Sequence, residues 1–216
     1  IALPEVEQLM LAFPIGIVCG LVGGMFNKGL VWLTRRLAPV IQKKPLKTGV
    51  YLGAGLTLLA LMSWGTSTSD GEALVRQLIE HGMPNALGNQ QDFITGLTSV
   101  WITLVRVIGP MLALSPGVPG GLIDPALTFG AVLGYTICAV AGISSQVGIG
   151  LGLAAGLSGA TQLPLVSIVF SWRLVGDQQL FAGVVLASVI AAYTGRLVCR
   201  DPVYHGLSKL QSAPRR

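Results

Sequence analysis

From Ser115 to Pro125 the chain reads Ser115-Pro116-Gly117-Val118-Pro119-Gly120-Gly121-Leu122-Ile123-Asp124-Pro125, and from Pro125 to Trp172 it carries no charged residue. Proline and glycine break the backbone just where apolar sequence resumes. Irregular backbone at membrane depth is tolerated only where it lines a polar path or is buried in protein. A helix opening at such a break presents unsatisfied N–H groups and roughly half a positive charge, which can hold an anion without a full cation. Gly120 and Gly121 remove side chains where an ion would touch backbone, and Gly117 belongs to the same loop. A second proline-led start lies at Arg200-Asp201-Pro202-Val203-Tyr204, where Asp201 can cap and Pro202 can open a final short helix. From there the Tyr204 hydroxyl can donate to the same anion from the opposite side. The rival reading of Tyr204 is an aromatic anchor at the membrane interface.

Two charges lie close to the break. At roughly 6 Å and an effective dielectric near 20, the carboxylate of Asp124 repels an anion by about 3 kcal/mol. It either tunes the site or turns away to bond first-turn N–H groups. Arg106, inside an otherwise apolar segment, is costly in a membrane and has two readings, functional or satisfying loop carbonyls. Gly156-Leu157-Ser158-Gly159, with His205 downstream, resembles the Gly-x-Ser-Gly of rhomboid intramembrane proteases. However, Ser158 sits in a glycine-rich packing stretch and His205 at a helix start, so no catalytic residue is assigned and the chain is read as a non-enzyme. His81, in an amphipathic stretch, reads as a surface residue. Cys19, Cys138 and Cys199 are odd in number and lie in apolar surroundings without metal or redox spacing. They read as small core residues, with no metal and no cofactor implied beyond a bound anion.

The elements that hold these groups belong to a membrane. The 216 residues are 52% hydrophobic and 11% charged, with mean hydropathy +0.71, too apolar for a soluble domain. The excess of 14 basic over 9 acidic residues, a net +5, collects at residues 35–47 and near the C-terminus. These read as cationic loops of one, cytoplasmic, face rather than as a nucleic-acid surface. Residues 8–27 and 48–69 lack charge and are each long enough to span. The first is predicted to continue past Lys28 as a long tilted helix, with Trp32 near an interface and Arg35-Arg36 at the exit.

Thr66 to Glu72 reads as a helix start, followed by a short amphipathic helix through Glu80 lying at the interface or only partly entering. Residues 93–114 suggest one span carrying Arg106. Beyond the break, 126–140 and 147–158 are predicted helices, both shorter than a full span, around a turn at 142–146. Gly148, Gly150, Gly152 and Gly156 offer a small-residue packing face. A break at Thr161 to Pro164, a helix at 165–172, a polar connection at 173–179 and a span at 180–193 complete the pattern.

Several motifs resemble one family in order along nearly the whole chain. Ser115 to Gly134 resembles the signature of CLC chloride channels and proton-coupled anion transporters, in which G-x-F-x-P follows a Ser-Gly-x-Pro-Gly loop. Gly130-Ala131-Val132-Leu133-Gly134 is similar to the Gly-Ala-x-x-Gly helix that comes next. Gly23 to Lys28 resembles the Gly-x-x-Phe-Asn-Lys of the long helix beginning the family's second half. Gly159 to Ile168 resembles the segment before its dimer-forming helices, and Pro202-Val203-Tyr204 the start of its last helix.

The resemblance implies an all-α polytopic membrane protein with long tilted and short discontinuous helices, one half of a CLC-type inverted-repeat fold. By the same resemblance, the backbone N–H groups of Leu122 and Ile123 and the Tyr204 hydroxyl contact the central anion. A homodimer with one pore per subunit follows, its contact formed near 166–172 and 180–193. Ile123 stands where the family has Phe, a mild change because backbone does the binding. The family's Gly-Ser-Gly-x-Pro and Gly-x-Glu-Gly-Pro motifs, both of its first half, are absent. Residues 1–216 are therefore read as a C-terminal half that needs another polypeptide, or more of its own, for a complete pore. The expected function is transport of an anion, chloride first; the alternative is a non-transporting half that only packs or dimerises.

Overall fold

The computed structural model describes residues 6–63, 71–81, 93–117, 120–176 and 179–200. Their regular structure is entirely helical, as the apolar pattern requires. Helix α1 (Val6–Lys43) is one 38-residue rod running through Pro14 and Pro39. Residues 35–47 were expected as a loop and are not one. Arg35, Arg36 and Lys43 ride on α1, only Lys44 is non-helical, and α2 (Pro45–Met62) starts at once. Arg and Lys are good helix formers whose stems carry their charge to water from a helix surface, so a cationic run does not end a helix. Pro45, lacking an N–H and placed in the first turn of α2, makes the break.

Helix α3 (Gly71–His81) is the amphipathic segment, and α4 (Phe93–Leu114) passes unbroken through Arg106 and Pro110. Leu74 and Leu78 turn α3's apolar face onto Val132 and Ile149. Helices α5 (Ile123–Val140) and α6 (Ser145–Thr161) are longer than expected, and α5 has the length and apolarity to cross a membrane. In α5 the difference arises at Pro125, which a helix's first turn accommodates because no intrahelical acceptor exists for that N–H. Helices α7 (Pro164–Val175) and α8 (Phe181–Val198) likewise run past Trp172 and Tyr193, through Arg173 and Arg196. The expected final helix, with Asp201, Pro202, Tyr204 and His205, lies outside the described residues.

Helix α6 is the centre of the bundle, buried from Gly148 to Thr161 without interruption. A Cβ on Gly130 would strike Gly152 and Gly156, and one on Gly134 would strike Gly148 and Gly152, so α5 lies antiparallel on α6 at backbone contact. Gly16 meets Ile190, Gly20 meets Ala191 and Thr194, and Gly24 meets Gly195 and Val198. Those numbers rise together, so α1 and α8 run parallel and end on the same side. Apolar side chains gain nothing by leaving lipid for each other, and close backbone approach at small residues is what holds such helices.

Candidate functional site

The break between α4 and α5 is fastened at its start. Ser115 is buried and its hydroxyl donates to the Leu112 carbonyl at 2.9 Å, while the Gly117 N–H bonds the Leu114 carbonyl at 3.0 Å. Gly117 then turns with φ +82°, a left-handed conformation that favours glycine. Gly120 lies against the Leu114 side chain, whereas a Cβ on Gly121 would meet nothing within 4 Å among the described residues. Among the described residues, therefore, no side chain covers the Gly121 backbone on that side.

Helix α5 begins at the N-cap Leu122, which has no side-chain oxygen to offer the first-turn N–H groups. Its side chain, 4% exposed, instead drives into a cluster with Phe26, Phe129 and Leu157. The start of α5 is thus pinned by apolar packing on α1 and α6, and its N-cap side chain caps none of its amides. Ile123 is 40% exposed, with its side chain outside that core.

The two charges are also placed. A side chain on Gly71 would collide with Asp124 Oδ1 and Thr128 Oγ1, so the exposed Asp124 carboxyl lies against the first turn of α3. Negative charge at a helix N-terminus is favourable. The neighbouring Thr128 hydroxyl donates to the Asp124 carbonyl at 2.7 Å. Arg106 faces protein, 4% exposed on α4, and its side chain is engaged there. Tyr204 lies outside the described residues.

Two buried amides escaped notice in the sequence. Asn27 donates Nδ2 to the Ala160 carbonyl at 2.6 Å, near the C-terminal end of α6. Gln162, the C-cap of α6, adopts φ 58° and donates Nε2 to the Cys199 carbonyl at 2.7 Å. Together they lock the C-terminal ends of α6 and α8 beside the middle of α1. The signal for Gln162 was a polar residue at a Pro-terminated break; Asn27 lay inside the Gly23 to Lys28 motif without a role. Ser158 Oγ donates to the Ser188 carbonyl at 2.6 Å in a fully buried α6–α8 contact. That contact gives Ser158 a packing role. Among the described residues no His/Cys/Asp/Glu group has metal-binding spacing.

An apolar helical bundle with four helices fit to span among its described residues, opened by a glycine break at an uncapped helix start, defines a polytopic, discontinuous-helix membrane protein. The profile described as voltage gated chloride channel matches residues 2–196, and the chain belongs to that family. A voltage-gated ClC-type chloride channel, ClcB, of Salmonella typhi is 25% identical over 195 residues, covering 86% of this chain and 44% of the relative. An H(+)/Cl(-) exchange transporter, ClcA, of Vibrio campbellii is 26% identical over 223 residues, covering 94% and 43%. The chain thus spans about half the length of these curated relatives. The crystal structure of a slow cyanobacterial Cl-/H+ antiporter superposes with TM-score 0.64 at 19% identity, over 89% of this chain and 47% of that one. It bears out the all-helical, CLC-type membrane fold.

Proposed function

We propose that the chain contributes the C-terminal half of an anion-translocating membrane domain, with chloride or a similar anion held at the start of α5. The observation that carries the reading is an α5 N-terminus whose N-cap Leu122 is pinned by core packing and offers no side-chain acceptor, beside the bare backbone of Gly121. In this reading the Leu122 and Ile123 N–H groups and the Tyr204 hydroxyl contact the anion, on a loop shaped by Gly117, Gly120 and Gly121. Asp124, seated at α3, and Arg106, buried in α4, tune it through their charge. The anion is the one bound group, and neither metal nor cofactor takes part. The names of the relatives, a chloride channel and a proton/chloride exchanger, favour chloride as the cargo.

A second polypeptide or further chain completes the pore, and the functional unit is a homodimer joined through the exposed apolar surface of α7 and α8, which includes Val166, Val169, Phe181 and Val189. The ends of α1 and α8 face the cytoplasm. The test is chloride titration by calorimetry on the full chain in detergent. Gly121→Val, which fills the open space beside the amides, is expected to abolish binding. Tyr204→Phe is expected to weaken it severalfold, and Asp124→Asn to strengthen it. Equal heats from the unaltered chain and Gly121→Val, with both folded by circular dichroism, would end this reading.

A further inference from the structure

Where α8 ends against α1, Met25, Lys28, Gly29, Trp32 and Val198 line an open, largely apolar groove of about 400 Å³. Lys28, Trp32, Arg35 and Arg36 follow one another at helical spacing along one face of α1, all exposed, with the Arg36 guanidinium 5.8 Å from the Trp32 ring centre. None of these three cations pairs with a carboxylate among the described residues, and positions 8–69 contain no Asp or Glu. Among the described residues, therefore, nothing compensates the charge on this face.

Depth decides what can compensate it. The charge-free stretch 8–27 matches a hydrocarbon core about 30 Å thick, so Lys28 falls at the hydrocarbon edge. Arg35 and Arg36 lie about 10 Å farther along the helix, in the headgroup layer, with Trp32 between as an interfacial aromatic. A soluble anion meets no apolar groove at that depth, and a water-soluble partner does not reach Met25. A phospholipid with a negatively charged headgroup matches both parts: an acyl chain along Met25, Gly29 and Val198, and phosphate oxygens among Lys28, Arg35 and Arg36.

We infer that this groove is a binding site for an anionic phospholipid of the leaflet in which α1 ends. The test is native mass spectrometry of the full chain released from nanodiscs containing equal phosphatidylglycerol and phosphatidylcholine. At least one phosphatidylglycerol is expected to stay bound per chain, in preference to phosphatidylcholine. Lys28→Gln and Arg36→Gln are each expected to weaken that retention about fivefold. Lys28→Arg is expected to preserve it, and Arg173→Gln on α7 to leave it unchanged. Equal retention of the two lipids overturns the assignment. So does loss no greater in Lys28→Gln than in Arg173→Gln, with helix content unaltered, and so does another polypeptide found covering Lys28.

Discussion

Gln162 shows how one side chain can resolve two problems of backbone chemistry. Its left-handed conformation ends α6 ahead of Pro164, and its amide satisfies the Cys199 carbonyl at the end of α8. A non-glycine residue with φ near +58° costs about 1–2 kcal/mol, and one net hydrogen bond returns about 1 kcal/mol. Gln162→Ala keeps the strain and loses the bond, and is expected to destabilise by about 1–2 kcal/mol. Gln162→Gly loses the bond and relieves the strain, and is expected to fall close to the unaltered protein. Thermal unfolding in detergent, followed by circular dichroism, separates the two; equal losses would show that the bond alone matters.

At the scale of elements, glycine has opposite meanings on two helices. On α6 a Cβ at Gly152 would meet the Gly130 backbone, with its carbonyl carbon at 2.9 Å, and the Gly134 Cα at 3.1 Å. On α2 a Cβ at Gly49, Gly53 or Gly55 would meet nothing within 4 Å among the described residues. Gly152→Val must therefore push α5 off α6 and is expected to cost about 3 kcal/mol or more. Gly53→Ala is expected to be neutral or to stabilise by up to about 1 kcal/mol, because the helix loses only the entropy penalty of glycine. Melting temperatures of the two variants in one detergent check the contrast. The small-residue face at 148–156 was legible because its spacing repeats every four residues. Its partners on α5 were not, since nothing local says which glycine meets which.

At the scale of the whole molecule, the pairing of Gly150 with Leu180 and of Gln162 with Cys199 orients α6 end to end against α8. The turn at 141–144 then lies on the side opposite the ends of α1 and α8. In sealed vesicles carrying Cys199→Ser, a membrane-impermeant maleimide is expected to label Lys44→Cys and Arg200→Cys from one side. Ala141→Cys is expected to react only from the other. Labelling of positions 44 and 200 from opposite sides would contradict the parallel course of α1 and α8. Both basic ends were expected on one face from charge distribution; the described ends of α1 and α8 lie on one side, and the basic residues after Arg200 lie outside the described residues.

Sequence alone determined that this is a helical membrane protein, roughly where its helices break and which family motifs it carries. Hydropathy, proline and glycine act through neighbouring residues, and their effect is written locally. Helix ends were less legible: basic residues and Pro125 suggested boundaries that the helices simply cross. Only tertiary structure decided that Leu122 anchors the start of α5, that Arg106 faces protein and that the Asp124 carboxyl sits at α3. It alone joined Asn27 to Ala160, separated by 133 positions, and Gln162 to Cys199, separated by 37. Such contacts exist because close glycine packing sets the distance between whole helices, and no local pattern encodes that distance.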